Sequence, residues 1–382
     1  MTGSIRRDYS RLELAAVVAA VCIGELGILT MPFVVGGVAE RFGLSAGGAG
    51  LASVLQFASM SCVAIVLMLT VHRVDRRKLA LMAVILALIA DAVAAFSPQW
   101  SWFLASRVAE GVGEGALLTV GSAAAAGTLK PQRSFSLVTL GYVLVASAIF
   151  LSWPSLHDHF GGIAVFYIVL IGAAVGAPFL LAIPRLEVTK DAAIDAPGSV
   201  WRPFPWVLIG IACLYMGVNS LWAFSERMGV SLGLDHHAIV KAFLAVAAIT
   251  WIGPIAANYW QRRVGYRKII LYGVMIQAAA CFVFGGAQSY AVFFFSFVVL
   301  NIALLFLVPI YRALTAVLDP TGRLAAGSIV VQTVSTAVGP FIASLALLGG
   351  EGYFWVGVYA TALALLSGVF AWGVARYADH HE

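Results

Sequence analysis

The sequence predicts an all-α polytopic membrane protein, with twelve transmembrane helices in two pseudo-symmetric six-helix bundles. Three observations predict it. The chain is 62% hydrophobic and only 11% charged, with a mean hydropathy of +0.96, whereas a soluble domain carries about 25% charged residues. Apolar runs recur along its whole length, each near the roughly 20 residues that a bilayer-crossing helix needs. The sequence also repeats itself once. Arg73-Val74-Asp75-Arg76-Arg77-Lys78 returns 190 residues later as Arg263-Val264-Gly265-Tyr266-Arg267-Lys268, Gly43-Leu44-Ser45 returns as Gly233-Leu234-Asp235, and Arg133 as Arg323. A β-barrel would need short alternating strands, and runs such as Leu79 to Ala90 do not alternate.

Taken in order, the spans are expected at 13–37, 46–71, 79–97, 101–128, 134–155, 161–183, 204–227, 236–260, 267–287, 289–317, 324–348 and 353–377. The first is too long for the apolar region of a signal peptide and lacks a small-residue cleavage site, so it is expected to stay as an anchor. The ninth and tenth share a charge-free run from Ile269 to Tyr311, which Gln288-Ser289 divides at an outer turn. The N-terminal bundle then covers 1–183 and the C-terminal bundle 204–382. Between them, 184–203 holds Glu187, Lys190, Asp191, Asp195, Pro197 and Gly198 and reads as a polar cytoplasmic linker. Cys22, Cys62, Cys213 and Cys281 all fall within spans at no metal-ligand spacing and read as buried apolar side chains.

Basic residues set the orientation. With the N-terminus inside, 18 of the 23 Lys and Arg fall on the cytoplasmic side and only Arg41 and Arg227 outside. Both termini are therefore expected in the cytoplasm. The net charge of +5 follows from this topology. No basic surface is interleaved with stacking aromatics, so nucleic acid is not an expected partner.

Three features resemble the major facilitator superfamily (MFS) of transporters. The loop after the second span in that family reads Asp-Arg-x-Gly-Arg-Arg, and here His72-Arg73-Val74-Asp75-Arg76-Arg77 keeps the basic residues. Arg107-Val108-Ala109-Glu110-Gly111-Val112-Gly113 in the fourth span is similar to the family's Arg-x-x-Gln-Gly-x-Gly. The repeat of the loop motif after the eighth span fits the family's two-fold plan. There are departures: His72 replaces the family's Asp, Asp75 its Gly, and Met68 the Gly four positions before the motif. The Gly-x-x-x-Gly-Pro of proton-coupled exporters is absent after Gly141, where Tyr142 to Ala146 follow and Pro154 lies at the far end of the span.

The resemblance implies two halves rocking around a central solute site. The loop-motif residues Arg73, Asp75, Arg76, Arg77, Arg263 and Arg267 would form a cytoplasmic gate. It also places the first and fourth spans along the cavity. Glu25 lies mid-way along the first and Glu114 mid-way along the fourth. An ionisable group at the bilayer centre costs about 2.5–3.5 kcal/mol even on lenient scales, so each needs a reason. Glu25, Glu114 and Glu110 are candidate proton carriers, with a structural hydrogen bond to a neighbouring helix as the alternative. Arg107, Glu110 and Glu114 share one stripe of the helix, within roughly 60° of one another. Gly111 and Gly115 beside it offer a small-residue face for a close neighbour. Arg107 is expected to pair with Glu110 or Glu114, or with Asp91 of the third span, in a pair that a proton or anionic solute could break or that statically holds the half together.

At the 190-residue offset Glu25 maps onto Tyr215 and Arg107 onto Phe297. The second half therefore offers aromatic and amide surface. Tyr215, Asn219, Trp222, Asn301 and Gln332 are candidate cavity residues, with helix packing as the alternative for the amides. Arg312 is a candidate anion contact, or snorkels to the interface as Lys241 does. Glu40-Arg41 and Glu226-Arg227 end the first and seventh spans on the outer side and could form reciprocal salt bridges as an outer gate.

The expected function is a secondary active transporter of a small organic solute, amphipathic or aromatic, by alternating access. Proton coupling is expected, with a lean to export by proton antiport. The alternative is uptake of an organic acid or similar nutrient by proton symport, and a non-transporting receptor or assembly factor of the same fold is the reading from a different class. Neither an enzyme nor an ATP-driven pump fits, because the seven histidines lie in loops, span ends or the tail and no phosphate-binding loop is present. No cofactor and no metal are expected, the partners being the solute, protons and lipid. The protein should reside as a monomer in a bacterial inner (plasma) membrane.

Overall fold

A computed structural model describes residues 8–70, 74–126, 128, 131–184, 204–318, 323–348 and 352–379. Among them there is no β-strand. In lipid every backbone N–H and C=O must be satisfied within the protein, which helices achieve segment by segment. Among the described residues, ten helical stretches are long and apolar enough to cross a bilayer. One of these, 137–182, is 46 residues long and makes two spans, Pro131–Phe160 and Ala164–Gly176, the latter running on as a 3₁₀ segment to Ala182. Trp100–Ala126, fourth in chain order, completes the set of twelve; its Arg107, Glu110 and Glu114 are what set it apart from an ordinary lipid-spanning helix.

The remaining spans of the first half are Arg11–Gly24 joined to Leu26–Phe42, then Ala46–Thr70 and Arg76–Phe96. Those of the second half are Phe204–Ser231, His236–Ile249 joined to Ile252–Val264, Tyr266–Gly285, Tyr290–Leu318, Arg323–Leu348 and Tyr353–Asp379. By contacts the chain divides into two compact units, 1–42 with 55–196 and 43–54 with 197–382.

Helix starts follow from their sequence. Ser10 opens the first span with a capping box: its hydroxyl accepts the Glu13 N–H at 3.2 Å and its own N–H donates to Glu13 Oε2 at 2.9 Å. Asp75 caps the third span, taking the N–H groups of Arg77 and Lys78 at 3.0 and 3.3 Å. The eighth span breaks at Thr250–Trp251, where Pro254 has no N–H to return to Thr250 and its ring crowds that carbonyl.

Close packing in each unit runs through glycine. In the first unit a Cβ on Gly113 would come within 2.7 Å of the Ala83 carbonyl, and one on Gly115 within 2.7 Å of the Met60 carbonyl. In the second unit Gly285 and Gly357 pack backbone to backbone. Membrane helices gain little from the hydrophobic effect, so such close approach is what holds them together.

Candidate functional site

The fourth span turns Arg107, Glu110 and Glu114 inward, where each is at most 1% exposed. Asp91 of the third span and Gln56 of the second are buried as deeply and meet them. The Arg107 guanidinium contacts Glu110 directly, and its Nη2 lies 3.7 Å from Asp91 Oδ1. The rings of Phe103 and Phe166 flank it, with centroids at 5.4 and 5.1 Å. Nε and Nη1 of Arg107 find no hydrogen-bond acceptor among the described residues, so ion pairing and the ring faces hold this cation. Of the three pairings open from sequence, Glu110 and Asp91 are the ones found.

Glu114 faces elsewhere. Its Oε1 accepts the backbone N–H of Gly27 at 2.8 Å, and its Oε2 accepts the Gln56 amide at 2.7 Å. The same Gln56 nitrogen lies 3.0 Å from Glu110 Oε1, so one amide links the two carboxyls. Gly111 presents its bare Cα to Gln56 and Ser59, where a Cβ would collide with both. The small-residue face of the fourth span is thus where the second span lies.

Three carboxyls and one guanidinium share this dry cluster. With all four ionised, two negative charges would stand uncompensated at membrane depth, a cost of several kcal/mol per ion. The second half shows the alternative solution. At the 190-residue offset Asp91, Arg107, Glu110 and Glu114 become Cys281, Phe297, Leu300 and Leu304. Phe297 there stacks on Trp222 and Phe284 with centroids 5.6 and 5.1 Å away. The second half therefore fills the position matching Arg107 with an aromatic ring and needs no charge there.

Glu25, the other sequence-predicted carboxylate, is half-buried and sits where the first span breaks, between Gly24 and Leu26. In the second half Tyr215, Arg312 and Gln332 line one small crevice, together with Ile211, Leu214 and Val308. Arg312 Nη2 donates to Gln332 Oε1 at 3.1 Å while the side chain stays exposed. The other candidates pack: Asn219 donates to Thr336 Oγ1 at 3.1 Å, Asn301 to the Phe297 carbonyl of its own helix at 2.8 Å, and Trp222 is part of the aromatic cluster.

The loop-motif residues brace helices within each unit. Arg77 Nε donates to the Ile183 carbonyl at the end of the sixth span, at 3.0 Å, and Arg76 is half-buried. Arg263 lies over Tyr259 and Arg267 over Trp372, at 4.2 and 4.8 Å. Gly265, which replaces Asp75 at the offset, has no side chain to cap the ninth span. Asp379 of the twelfth does so instead, taking the N–H groups of Tyr266 at 2.7 Å and Arg267 at 3.2 Å. Arg73 and the predicted linker beyond Pro184 lie outside the described residues.

At the end of the first span, Arg41 donates to the carbonyls of Ala94, Ala95 and Ser97, closing the C-terminal end of the third span. Glu40 lies 3.2 Å from His157. Glu226 lies 3.5 Å from its neighbour Arg227 and 3.9 Å from His236. Sequence reasoning passed over Gln56, Phe166 and Asp379. An amide alone in the middle of an apolar span was the available signal for Gln56; nothing in the sequence pointed to Asp379.

The model of the Major Facilitator Superfamily matches residues 16–344. The structure of the human organic anion transporter MFSD10 (TETRAN) superposes with a TM-score of 0.67 at 16% identity, covering 94% of this chain and 99% of that one. A bacterial homologue of the human lysosomal transporter Spinster, solved inward-facing and unoccupied, superposes with a TM-score of 0.68 at 14% identity, covering 98% of each. No curated protein matches by sequence. At these identities the structural likeness establishes the fold, and with the family match it follows that the chain belongs to the major facilitator superfamily, an integral membrane transporter and not an enzyme.

Proposed function

We propose that the protein moves a small amphipathic or aromatic organic solute across a bacterial inner membrane by alternating access, coupled to protons, in the direction of export by antiport. Both termini lie in the cytoplasm, the halves 1–183 and 204–382 rock about the solute site, and the monomer is the working unit. The observation that carries the reading is the buried cluster in which Asp91 and Glu110 meet the single cation Arg107 while Gln56 links Glu110 to a third carboxyl, Glu114. Protons balance such a cluster at the least electrostatic cost. The second half fills the same positions with apolar groups, so packing alone does not call for charge there. Intramembrane acids that are dispensable for packing mark proton or solute pathways.

A second reading has its own support: Arg312, exposed in a crevice with Tyr215 and Gln332, suits the carboxylate of an organic acid taken up with protons. MFSD10, which shares the fold, is an organic anion transporter, and that makes this class of solute the first to try.

A ligand thermal-shift screen of purified protein tests both, with wild type beside Glu114→Gln and Arg312→Ala at pH 6 and pH 8. Aromatic acids, amphipathic cations, sugars and peptides form the panel. A hit whose stabilisation depends on pH in wild type and not in Glu114→Gln supports proton-linked binding. Loss of an aromatic-acid hit in Arg312→Ala supports the anion reading. Hits indifferent to pH and to both substitutions would refute the proposal.

A further inference from the structure

The first span is not one helix. Arg11–Gly24 ends at Glu25, whose backbone turns to φ −100° and ψ −2°, and a new helix runs from Leu26 to Phe42. The opening N–H groups of a helix lack partners in a preceding turn and carry the positive end of its dipole. Gly27 is the second residue of that new helix, and its N–H is the one that Glu114 accepts at 2.8 Å. Neither neighbour of the break leaves room for a side chain. A Cβ on Gly24 would come within 2.6 Å of the Leu118 backbone nitrogen, and one on Gly27 would collide with the Gln56 amide and the Glu114 carboxyl. The break is therefore pressed against the carboxyl, with Gln56 holding the second oxygen at 2.7 Å.

We infer that Glu114 is the cap of the resumed first-span helix, that Gln56 is its positioning residue, and that a proton on Glu114 loosens the break at Glu25–Gly27. This rests on the proton-coupled reading above and gives it a moving part. A carboxylate is a strong acceptor for a helix-start N–H, and charge-assisted bonds are roughly twice as strong as neutral ones. A neutral carboxyl keeps a weaker acceptor and adds an O–H that must find its own partner. The same proton also changes the charge facing Gln56, which reaches Glu110 at 3.0 Å and through it Arg107. The titratable and charged groups of the cluster that holds Glu114 are Glu110 and Arg107 on its own helix and Asp91 from the third span, and the first span carries Glu25 and Cys22 in and just before the break. The second span contributes the neutral Gln56, and the fifth has no charged residue between Arg133 and His157.

Hydrogen–deuterium exchange of the reconstituted full chain tests this, read as protection of the segment 24–30 so that the intrinsic pH dependence of exchange divides out. Wild-type protection at Gly27 should fall about tenfold or more between pH 8 and pH 5, the size of a lost charge-assisted bond. Glu114→Gln should hold one low protection at both pH values. Glu114→Asp keeps the charge but falls a methylene short, so it too should be poorly protected at pH 8. Gln56→Leu should lower protection at pH 8, and Gln56→Glu, which brings no donor when ionised, should not restore it. Unchanged protection in Glu114→Gln and Glu114→Asp would overturn the cap, as would an equal pH response in wild type and Glu114→Gln. Proton-driven transport measured on the same variants separates the two ideas. Coupling lost in Glu114→Gln with protection unmoved refutes the cap and leaves the coupling reading standing. A pH-dependent cap in a protein that ignores the proton gradient does the reverse.

Discussion

Replacing Arg107 with methionine removes the one cation of the buried cluster and leaves Glu110 and Asp91 facing each other in a dry site. Breaking a buried ion pair from one side costs about 3–5 kcal/mol, because the partner's charge stays behind without compensation. The lost contacts with Phe103 and Phe166 add about 1 kcal/mol each. Removing Glu110 as well should recover part of this. The double variant Arg107→Met with Glu110→Met approaches what the second half already has, Phe297 and Leu300 at the matching positions. Asp91 remains as a burden, so recovery is partial. The two substitutions should couple by roughly 1–3 kcal/mol. Reversible unfolding in mixed micelles at pH 8 reads the single variants, the double variant and wild type as one cycle. Strict additivity, with the double variant destabilised by the sum of the singles, would refute the claim that Arg107 is held by charge.

Three further outcomes follow from the packing. Asp379→Ala removes the cap from Tyr266 and Arg267 and should cost about 1 kcal/mol. The matching exchange measurement should show fraying at 266–268, with the third span, capped by its own Asp75, unaffected. Gly111→Ala forces a methyl group into the Gln56 backbone and Ser59, and overpacking of this kind costs about 1–3 kcal/mol. A clear drop in melting temperature is expected, and a wild-type melting curve would contradict the close approach of the second span. Arg41→Ala strips three carbonyls at the end of the third span of their donor. Exchange at Ser97 and the turn after it should rise, while the third span's start stays protected.

What could be read from sequence was what periodicity and polarity record. Spans were legible because twenty apolar residues in a row have few other uses, and the family because Arg107, Gly111, Gly113 and the repeated basic loops stand at fixed topological positions. Arg107, Glu110 and Glu114 were legible as one stripe because helical angle alone places them. The break in the first span was not, since Glu25 between Gly24 and Gly27 could as well sit in a continuous helix, and it is the Glu114 carboxyl from a distant span that meets its N–H. The capping role of Asp379 was hidden in the same way: it lies 113 residues from Tyr266 and replaces a side chain that the 190-residue repeat lost at Gly265. The amides of the second half were ambiguous for a plain reason. Asn219 and Asn301 have short side chains, the first satisfied by a hydroxyl of the eleventh span and the second by a carbonyl one turn away, and only contacts reveal which.

The proposed exchange of protons with solute movement, by the buried carboxyls of the first half, can be measured. It is read most directly in proteoliposomes loaded with a pH-sensitive dye, given an aromatic acid or amphipathic cation identified by thermal shift. Wild type should move protons when the solute is added and accumulate solute when a pH gradient is imposed. Glu114→Gln should do neither while still exchanging solute down its own gradient. Equal proton flux in wild type and Glu114→Gln would rule out proton exchange through this carboxyl.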